Sequence, residues 1–289
     1  MKLNRSFFFS PFLSLLISVI LISSCSIIEP AAPSPTYIQI DTILLNSVQS
    51  VSGSSSHKIT DAWVIVDGEY LGTFPVPGKF PIADGGTHSI TIRAGIMEDG
   101  ISSLRTAYVK FTSFDTTMNM SVGETYSIVP RVEYNSFNSY PNMEDFEDAT
   151  LDLVSTSAGN TPITIITSPD PDIFEGKTCK VILADTNTVF EVASSAPFTL
   201  PLNTLTYVEL NYKSEVDFVV GVYVTAGSVY KQDLLSIRAT SVWKKIYINI
   251  NDLGGVASNA TAYKVYIHAE KPSTMLSAVM YLDNFKVLY

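Results

Sequence analysis

The amino-acid sequence predicts an all-β protein of two domains. Short runs of β-branched and aromatic residues recur along the chain, separated by Gly, Pro, Asn, Asp and Ser. This pattern is typical of strands joined by turns. No long segment carries apolar residues at the i, i+3, i+4, i+7 spacing of an amphipathic helix. A length of 289 residues corresponds to one or two domains.

The composition indicates a folded protein and argues against several function classes. Hydrophobic residues make up 46% and charged residues 16% of the sequence, which supplies a sizeable core and excludes global disorder. A formal net charge of −10 argues against nucleic acid as a partner, because phosphate binding needs clustered Lys and Arg. Two cysteines and three histidines argue against a disulfide-rich scaffold and a histidine-rich metal enzyme.

The first 25 residues carry the pattern of an export signal. Two basic residues precede an apolar run over 7–22 that Ser and Pro interrupt. This is typical of a signal peptide and too interrupted for a membrane-spanning helix. The run ends in Ile22-Ser23-Ser24-Cys25, which resembles the bacterial lipobox. The resemblance implies removal of residues 1–24 and lipidation of Cys25, whose acyl chains would anchor the protein stably in a membrane.

The residues after Cys25 refine the expected location. Ser26 follows the cysteine, so the aspartate that retains some lipoproteins at the inner membrane is missing. We therefore expect an outer-membrane lipoprotein, and both the periplasmic and the surface-facing placement stay open. Residues 25–35 hold the lipidated cysteine and a Pro-, Ala- and Ser-rich segment, which favours an extended tether.

We assign residues 36–136 to a first β-domain. Asp67-Gly68 lies between two apolar runs and predicts a type I′ hairpin turn. The runs VDGEYLGT at 66–73 and GGTHSITI at 85–92 resemble PEGA-like surface β-domains. The resemblance implies an immunoglobulin-like β-sandwich that serves the cell envelope as a structural module, not as a catalyst. A polar stretch with a proline follows over 135–142 and is typical of a linker.

We assign residues 143–289 to a second β-domain. Four short motifs follow one another along it: DFED at 145–148, GKTCKV at 176–181, WKK at 243–245 and YLDNFKV at 281–287. Their order resembles the galactose-binding-like jelly rolls found among carbohydrate-binding modules. The resemblance implies a jelly-roll β-sandwich. Period-two alternation in several runs supports the same fold, because it gives each strand one buried and one wet face.

The wet faces of these strands offer candidates for binding a glycan. Sugar sites combine an aromatic face, which stacks on the ring, with polar groups for the hydroxyls. The polar and aromatic residues that alternate with the predicted core are Glu209, Asn211, Tyr247, Asn249, Tyr266 and His268. Exposed tyrosine is also ordinary strand composition, so a purely structural role for each stays open.

The jelly-roll resemblance also implies a structural calcium ion where the first and last strands meet. Ca²⁺ is held by carboxylates and backbone carbonyls, and Glu147 and Asp283 are the matching acids. The alternative is that both are turn or edge acids without a metal. We expect no other cofactor.

Three further side chains are predicted to be core residues. Cys179 lies in an apolar strand pattern with no histidine nearby to activate it, which indicates a small buried residue and not a nucleophile. Trp63 and Trp243 both follow apolar strand patterns and are expected in the core.

The sequence predicts a non-catalytic binding protein. None of the motifs GxSxG, HExxH, GxxxxGK[ST] and GxGxxG occurs. The first hypothesis is a lipid-anchored envelope protein whose C-terminal jelly roll binds carbohydrate. The alternative is an outer-membrane lipoprotein with a structural or protein-interaction role and no glycan ligand. The expected partners are the membrane, through the lipid, and a glycan or an envelope protein.

Overall fold

The computed structural model describes residues 34–201, 204–251 and 259–289. The strands of the N-terminal part are β1 Thr36–Ile40, β2 Leu44–Asn46, β3 Asp61–Val66, β4 Glu69–Pro75, β5 Gly78–Ile82, β6 Gly86–Met97, β7 Arg105–Ala107, β8 Phe114–Met120, β9 Thr125–Ile128 and β10 Arg131–Glu133. One short helix, α1, covers Gln49–Ser52. The predicted signal peptide (1–24), the lipidation site Cys25 and most of the 25–35 tether lie outside the described residues.

The C-terminal part is also built of strands. They are β11 Asn142–Glu144, β12 Leu153–Ser155, β13 Thr164–Ile166, β14 Thr178–Ala184, β15 Val189–Ser194, β16 Tyr207–Ser214, β17 Phe218–Ala226, β18 Ser228–Ile237, β19 Thr240–Asn249, β20 Ala262–Glu270 and β21 Ser277–Leu288. The predicted all-β fold class is confirmed. In the part of the chain that is described, no helix is long and apolar enough to cross a membrane.

The N-terminal strands form two layers around a core. One layer is the sheet β4-β3-β6-β7, with β8 pairing β6 beside β7. The other consists of the sheet β5-β1-β9 and the pair β2–β10. Alternate residues of the two layers meet in one cluster, for example Ile38 and Ile40 with Val64, Ile90 and Ile92. This is how a β-sandwich buries one face of each sheet.

The predicted type I′ turn is confirmed. Asp67 and Gly68 have φ values of 52° and 87° and join β3 to β4 in antiparallel pairing. Both central residues of this turn need positive φ, which Asp tolerates and Gly adopts freely. The Asp67 carboxylate also accepts a hydrogen bond from the Ser89 backbone N–H at 2.8 Å, which ties the hairpin to β6.

The C-terminal strands form a jelly-roll sandwich. One sheet has the order β13-β14-β21-β16-β19, with β11 also on β21, and the other has the order β12-β15-β20-β17-β18. From β14 to β17 the chain changes sheet at every strand. The inward residues of both sheets share one core, for example Val208 and Leu210 from β16 with Val220 and Val222 from β17. We call the first sheet the β16 sheet and the second the β20 sheet.

The two sandwiches meet at a buried junction on the outer face of the β16 sheet. Tyr207, Tyr247 and Leu288 belong to the C-terminal strands but pack in the N-terminal core cluster. The backbone joins there as well: Asp99 N donates to the Tyr247 carbonyl at 2.8 Å, and Glu98 forms a parallel bridge with Tyr247. The N-terminal sandwich therefore covers a large part of one face of the jelly roll.

Candidate functional site

Four of the predicted sugar-binding residues lie at the junction and not on a wet face. Glu209, Asn211, Tyr247 and Asn249 do point away from the jelly-roll core, as the alternation predicts. However, Glu209 is 0%, Asn211 2% and Tyr247 1% exposed, and Asn249 is half-buried. The expectation that this face is open to solvent is wrong, because the N-terminal sandwich packs on it.

Glu209 is the centre of a polar cluster inside the junction. Its carboxylate accepts hydrogen bonds from the hydroxyls of Tyr108 and Tyr134, each at 2.8 Å, and lies 2.9 Å from Lys245 Nζ. Burial alone would raise the pKa of Glu209, but the ammonium groups of Lys245 and Lys286 lower it below its usual value. The group is therefore a buried, compensated anion that joins the domains.

The other three residues also bond across the junction. Asn211 exchanges hydrogen bonds with the Ser56 hydroxyl at 3.1 and 2.9 Å. The Tyr247 hydroxyl accepts from the Lys58 backbone N–H at 2.9 Å. Asn249 N donates to Asp99 Oδ1 at 3.0 Å.

Tyr266 and His268 lie elsewhere, on the outer face of the β20 sheet. This sheet is on the opposite side of the sandwich from the junction, so the six predicted residues divide between two faces. Around Tyr266 and His268 the structure gathers residues from four strands. We call the set the β20 face; its members are Glu191, Tyr223, Lys231, Asp233, Tyr266 and His268.

Glu191 is the polar centre of the β20 face. It is fully buried and accepts from Thr156 Oγ1 at 2.6 Å, Lys231 Nζ at 2.5 Å, and the Tyr223 hydroxyl. His268 Nδ1 lies 2.9 Å from the same carboxylate. Burial opposes ionisation, but the donors led by Lys231 outweigh it and lower the pKa of Glu191 to about 2.

Tyr266 is the buried aromatic residue of the β20 face. Its hydroxyl donates to Asp233 Oδ1, and its ring lies so close to Gly221 that a Cβ there would meet the ring at 2.4 Å. Lys231 Nζ lies 4.4 Å above the ring centroid, and Tyr266 is 0% exposed. Its ring is therefore not free to stack on a sugar, contrary to the predicted role.

Tyr223 offers the aromatic surface that Tyr266 does not. It is half-buried, and its ring centroid lies 5.2 Å from that of Tyr266. The His268 side chain is 24% and the Lys231 side chain 37% exposed. The β20 face thus presents one aromatic edge together with an imidazole and an ammonium group. Sequence reasoning missed Tyr223, Glu191, Lys231 and Asp233.

The predicted calcium ligands Glu147 and Asp283 bond to different partners in the structure. Lys177 N donates to Glu147 Oε1 at 2.5 Å, and Lys177 Nζ donates to the Glu147 carbonyl. Asp283 accepts from Thr178 Oγ1 at 2.7 Å, and burial raises its pKa to about 7. Among the described residues, no group of three or more His, Cys, Asp or Glu is arranged to hold a metal. The Lys177 ammonium group takes a Glu147 oxygen that Ca²⁺ would use, and the calcium ion stays a prediction.

Two of the three remaining core predictions are wrong. Cys179 is 0% exposed in the jelly-roll core, and burial raises the pKa of its thiol. Trp63 and Trp243 are only half-buried and belong to neither core cluster. Trp243 instead stands on the outer face of the β16 sheet, with its ring 5.0 Å from that of Phe174.

Comparisons with known proteins find likeness only among solved structures. No protein-family model and no curated protein matches the chain. The CBM22-1 xylan-binding domain of Paenibacillus barcinonensis Xyn10C is 12% identical over 52% of this chain and 94% of that domain, with a TM-score of 0.36.

Two further structures are of the same kind. The CBM22-1–GH10 modules of Clostridium thermocellum Xyn10B, solved with xylohexaose, are 11% identical over 52% of this chain and 28% of theirs, with a TM-score of 0.39. A family 29 carbohydrate-binding module is 8% identical over 52% of this chain and 87% of its own, with a TM-score of 0.35. Such values do not identify a ligand, which has to be inferred from the side chains of this chain.

Proposed function

We propose that this protein is a lipid-anchored, non-catalytic envelope protein that binds carbohydrate through the β20 face. The observation that carries the proposal is the half-exposed group of Tyr223, His268 and Lys231, fixed in place by a buried carboxylate. Sugar recognition needs an aromatic surface for the C–H groups and rigid polar groups for the hydroxyls. The β20 face supplies both on strands of a sandwich, which hold them rigidly.

The different surroundings of the two sheets support the same proposal. The N-terminal sandwich covers the outer face of the β16 sheet around Glu209 and Tyr247. The β20 sheet lies on the other side of the core and keeps its outer face clear of that sandwich. A glycan chain could therefore lie across the β20 face while the junction stays closed.

A protein-interaction role is the second candidate. The observation that favours it is that the Glu191 carboxylate already has four polar partners within the protein. A network whose hydrogen bonds are all made within the protein keeps the sheet rigid and needs no ligand to complete it.

A polysaccharide panel separates the two candidates. We expect the full chain, solubilised in detergent, to be retarded in affinity gels by one class of glycan. Tyr223→Ala should weaken that retardation about tenfold, the effect of losing one stacked ring. Tyr70→Ala is the matched control, because Tyr70 is a 57% exposed tyrosine on β4 of the other domain. No retardation by any glycan, or equal losses in both variants, would move the assignment to a protein partner.

The proposed anchor is tested separately at Cys25. The lipobox resemblance of residues 22–25 supports it, together with the apolar run before them. We expect cells to label the chain with radioactive palmitate and Cys25→Ser to abolish the label and leave an unprocessed precursor. Cys179→Ser is the control, because a buried thiol is not a lipidation site; a label that survives Cys25→Ser would refute the anchor.

A further inference from the structure

A cleft of about 450 Å³ opens where the two sandwiches meet, beside the buried junction. The N-terminal domain contributes the segment Ser56–Lys58, and the C-terminal domain contributes Asn211 and Trp243 to Lys245. Neither sandwich forms this cleft alone. The hydrogen bonds between Asn211 and Ser56 hold its two walls in register.

One wall of the cleft is aromatic. Trp243 is half-buried and outside the core, with ring-centroid distances of 5.0 Å to Phe174 and 6.1 Å to Tyr281. Neighbouring rings fix the indole, so the part of Trp243 that lines the cleft is a preorganised surface for a flat, partly apolar ligand. A pyranose ring has such a face in its axial C–H groups.

The charged side chains of the lining are all basic. Lys58, Lys244 and Lys245 line the cleft, and among the described residues no Asp or Glu does. Lys245 pairs with Glu209 behind the wall, but the Lys58 and Lys244 side chains form no ion pair with any described residue. In a chain of net charge −10, two free lysines in an acid-free cleft indicate a negatively charged ligand.

His57 adds an unused polar atom. Its Nδ1 is buried and has no hydrogen-bond partner among the described residues. Burial, and then the nearby Lys245, lower the pKa of His57, so the imidazole is neutral near pH 7. A neutral imidazole can accept from or donate to a hydroxyl group, and a buried nitrogen without a partner is costly unless a ligand satisfies it.

We propose that the cleft binds a carboxylated sugar ring, a hexuronate residue of an acidic polysaccharide. The ring lies against Trp243, the carboxylate faces Lys58 and Lys244, and a hydroxyl meets His57. The inference goes beyond the β20 face and does not depend on it. It also gives the N-terminal sandwich a part in recognition, where the sequence suggested only a structural module.

The test uses three polymers and the full chain in detergent. Polygalacturonate carries both sugar rings and carboxylates. Its fully methyl-esterified form keeps the rings and lacks the charge, and poly-L-glutamate keeps the carboxylates and lacks the rings. We expect binding of polygalacturonate alone, measured by affinity gels and calorimetry, and weakening with added salt.

Two variants of the cleft lining test whether polygalacturonate binds there. We expect Trp243→Ala to weaken polygalacturonate binding about tenfold and Lys244→Gln to weaken it several-fold with a smaller salt dependence. Lys79→Gln is the matched control, because Lys79 is an exposed lysine of β5 outside the cleft lining. Lys244 is exposed, so its variant keeps the test valid if Trp243→Ala alters folding.

The results of this test are distinguishable from those of the polysaccharide panel that tests the β20 face. Loss of binding in Trp243→Ala and Lys244→Gln, with Tyr223→Ala unaffected, supports the cleft even if the panel reveals no ligand for the β20 face. Equal binding of poly-L-glutamate, equal loss in Lys79→Gln, or no binding of polygalacturonate would each overturn the inference. Loss in Tyr223→Ala alone would assign the acidic glycan to the β20 face and overturn it as well.

Discussion

Glu191 gathers donors from parts of the chain that are far apart in sequence. Its partners come from the segment after β12 and from β17, β18 and β20, and the carboxylate is 0% exposed. A buried carboxylate is stable only when it is paired and hydrogen-bonded. Because its pKa is lowered to about 2, below the ordinary value near 4.5, the ionised form stabilises the folded state.

The first prediction concerns Glu191→Gln. The neutral amide loses the ion pair with Lys231, so we expect the variant to be less stable by about 2–3 kcal/mol near pH 7. The contribution of the wild-type carboxylate is complete above about pH 4.5 and is lost as the pH falls toward 2. Urea unfolding should therefore show a large difference near pH 7 and a difference about half as large near pH 3.

A neighbouring acid provides the control for this prediction. Glu270 lies 3.2 Å from the same His268, through Nε2, but its side chain is 69% exposed. Glu270→Gln should change stability by less than about 0.5 kcal/mol at either pH. A Glu191→Gln effect that is equally large near pH 7 and pH 3 would show that lost packing, and not lost charge, is responsible.

At the scale of the strand, alternation predicts faces but not what covers them. Val208, Leu210 and Tyr212 of β16 point into the jelly-roll core as predicted. The intervening Glu209 and Asn211 are just as buried, because a second domain packs on them. A pattern of polar residues cannot distinguish solvent from a polar interface, so the sequence predicts the wrong environment for four site residues.

The strands of the β20 face carry weaker sequence patterns for a binding site, which explains why the sequence does not predict Tyr223 and Glu191 as site residues. Tyr223 alternates with Val222 and Val224 in β17, a pattern that marks an outward residue but gives no reason to single it out. Glu191 stands between Phe190 and Val192; a lone acid in an apolar strand is the one signal that could have identified the polar centre. Their convergence depends on sheet order, which the sequence does not contain.

At the scale of the whole molecule, buried charges join the two domains. Glu209 lies between Lys245 and Lys286 and accepts from two tyrosines of the N-terminal sandwich. Lys286 Nζ in turn donates to the Ser52 carbonyl. Removing the carboxylate of Glu209 would leave the buried ammonium group of Lys245 without its ion-pair partner, which costs far more than the loss of a surface charge.

We expect Glu209→Gln to destabilise the protein by about 3–5 kcal/mol near pH 7. Burial lowers the pKa of Lys286 to about 8, and its ammonium group loses its proton as the pH rises through that value. The loss should therefore be smaller near pH 9 than near pH 7. Calorimetry provides the measurement, with one cooperative transition expected for the wild type and a split or lowered one for the variant.

The exposed Glu133 of β10 supplies the matched control for Glu209→Gln. Glu133→Gln removes a charge from the same domain pair without touching the junction and should leave the transition in place. Two separate wild-type transitions, or a Glu209→Gln transition equal to that of Glu133→Gln, would mean that the domains are independent units despite their contacts.

The single cysteine of the jelly-roll core has a consequence for measuring motion. Cys179 is sealed between the two sheets, and only a thiolate reacts with alkylating reagents. Reaction at this position therefore requires the sheets to separate and admit water. The rate at which Cys179 is alkylated under native conditions therefore reports how often the sandwich opens, without any introduced probe.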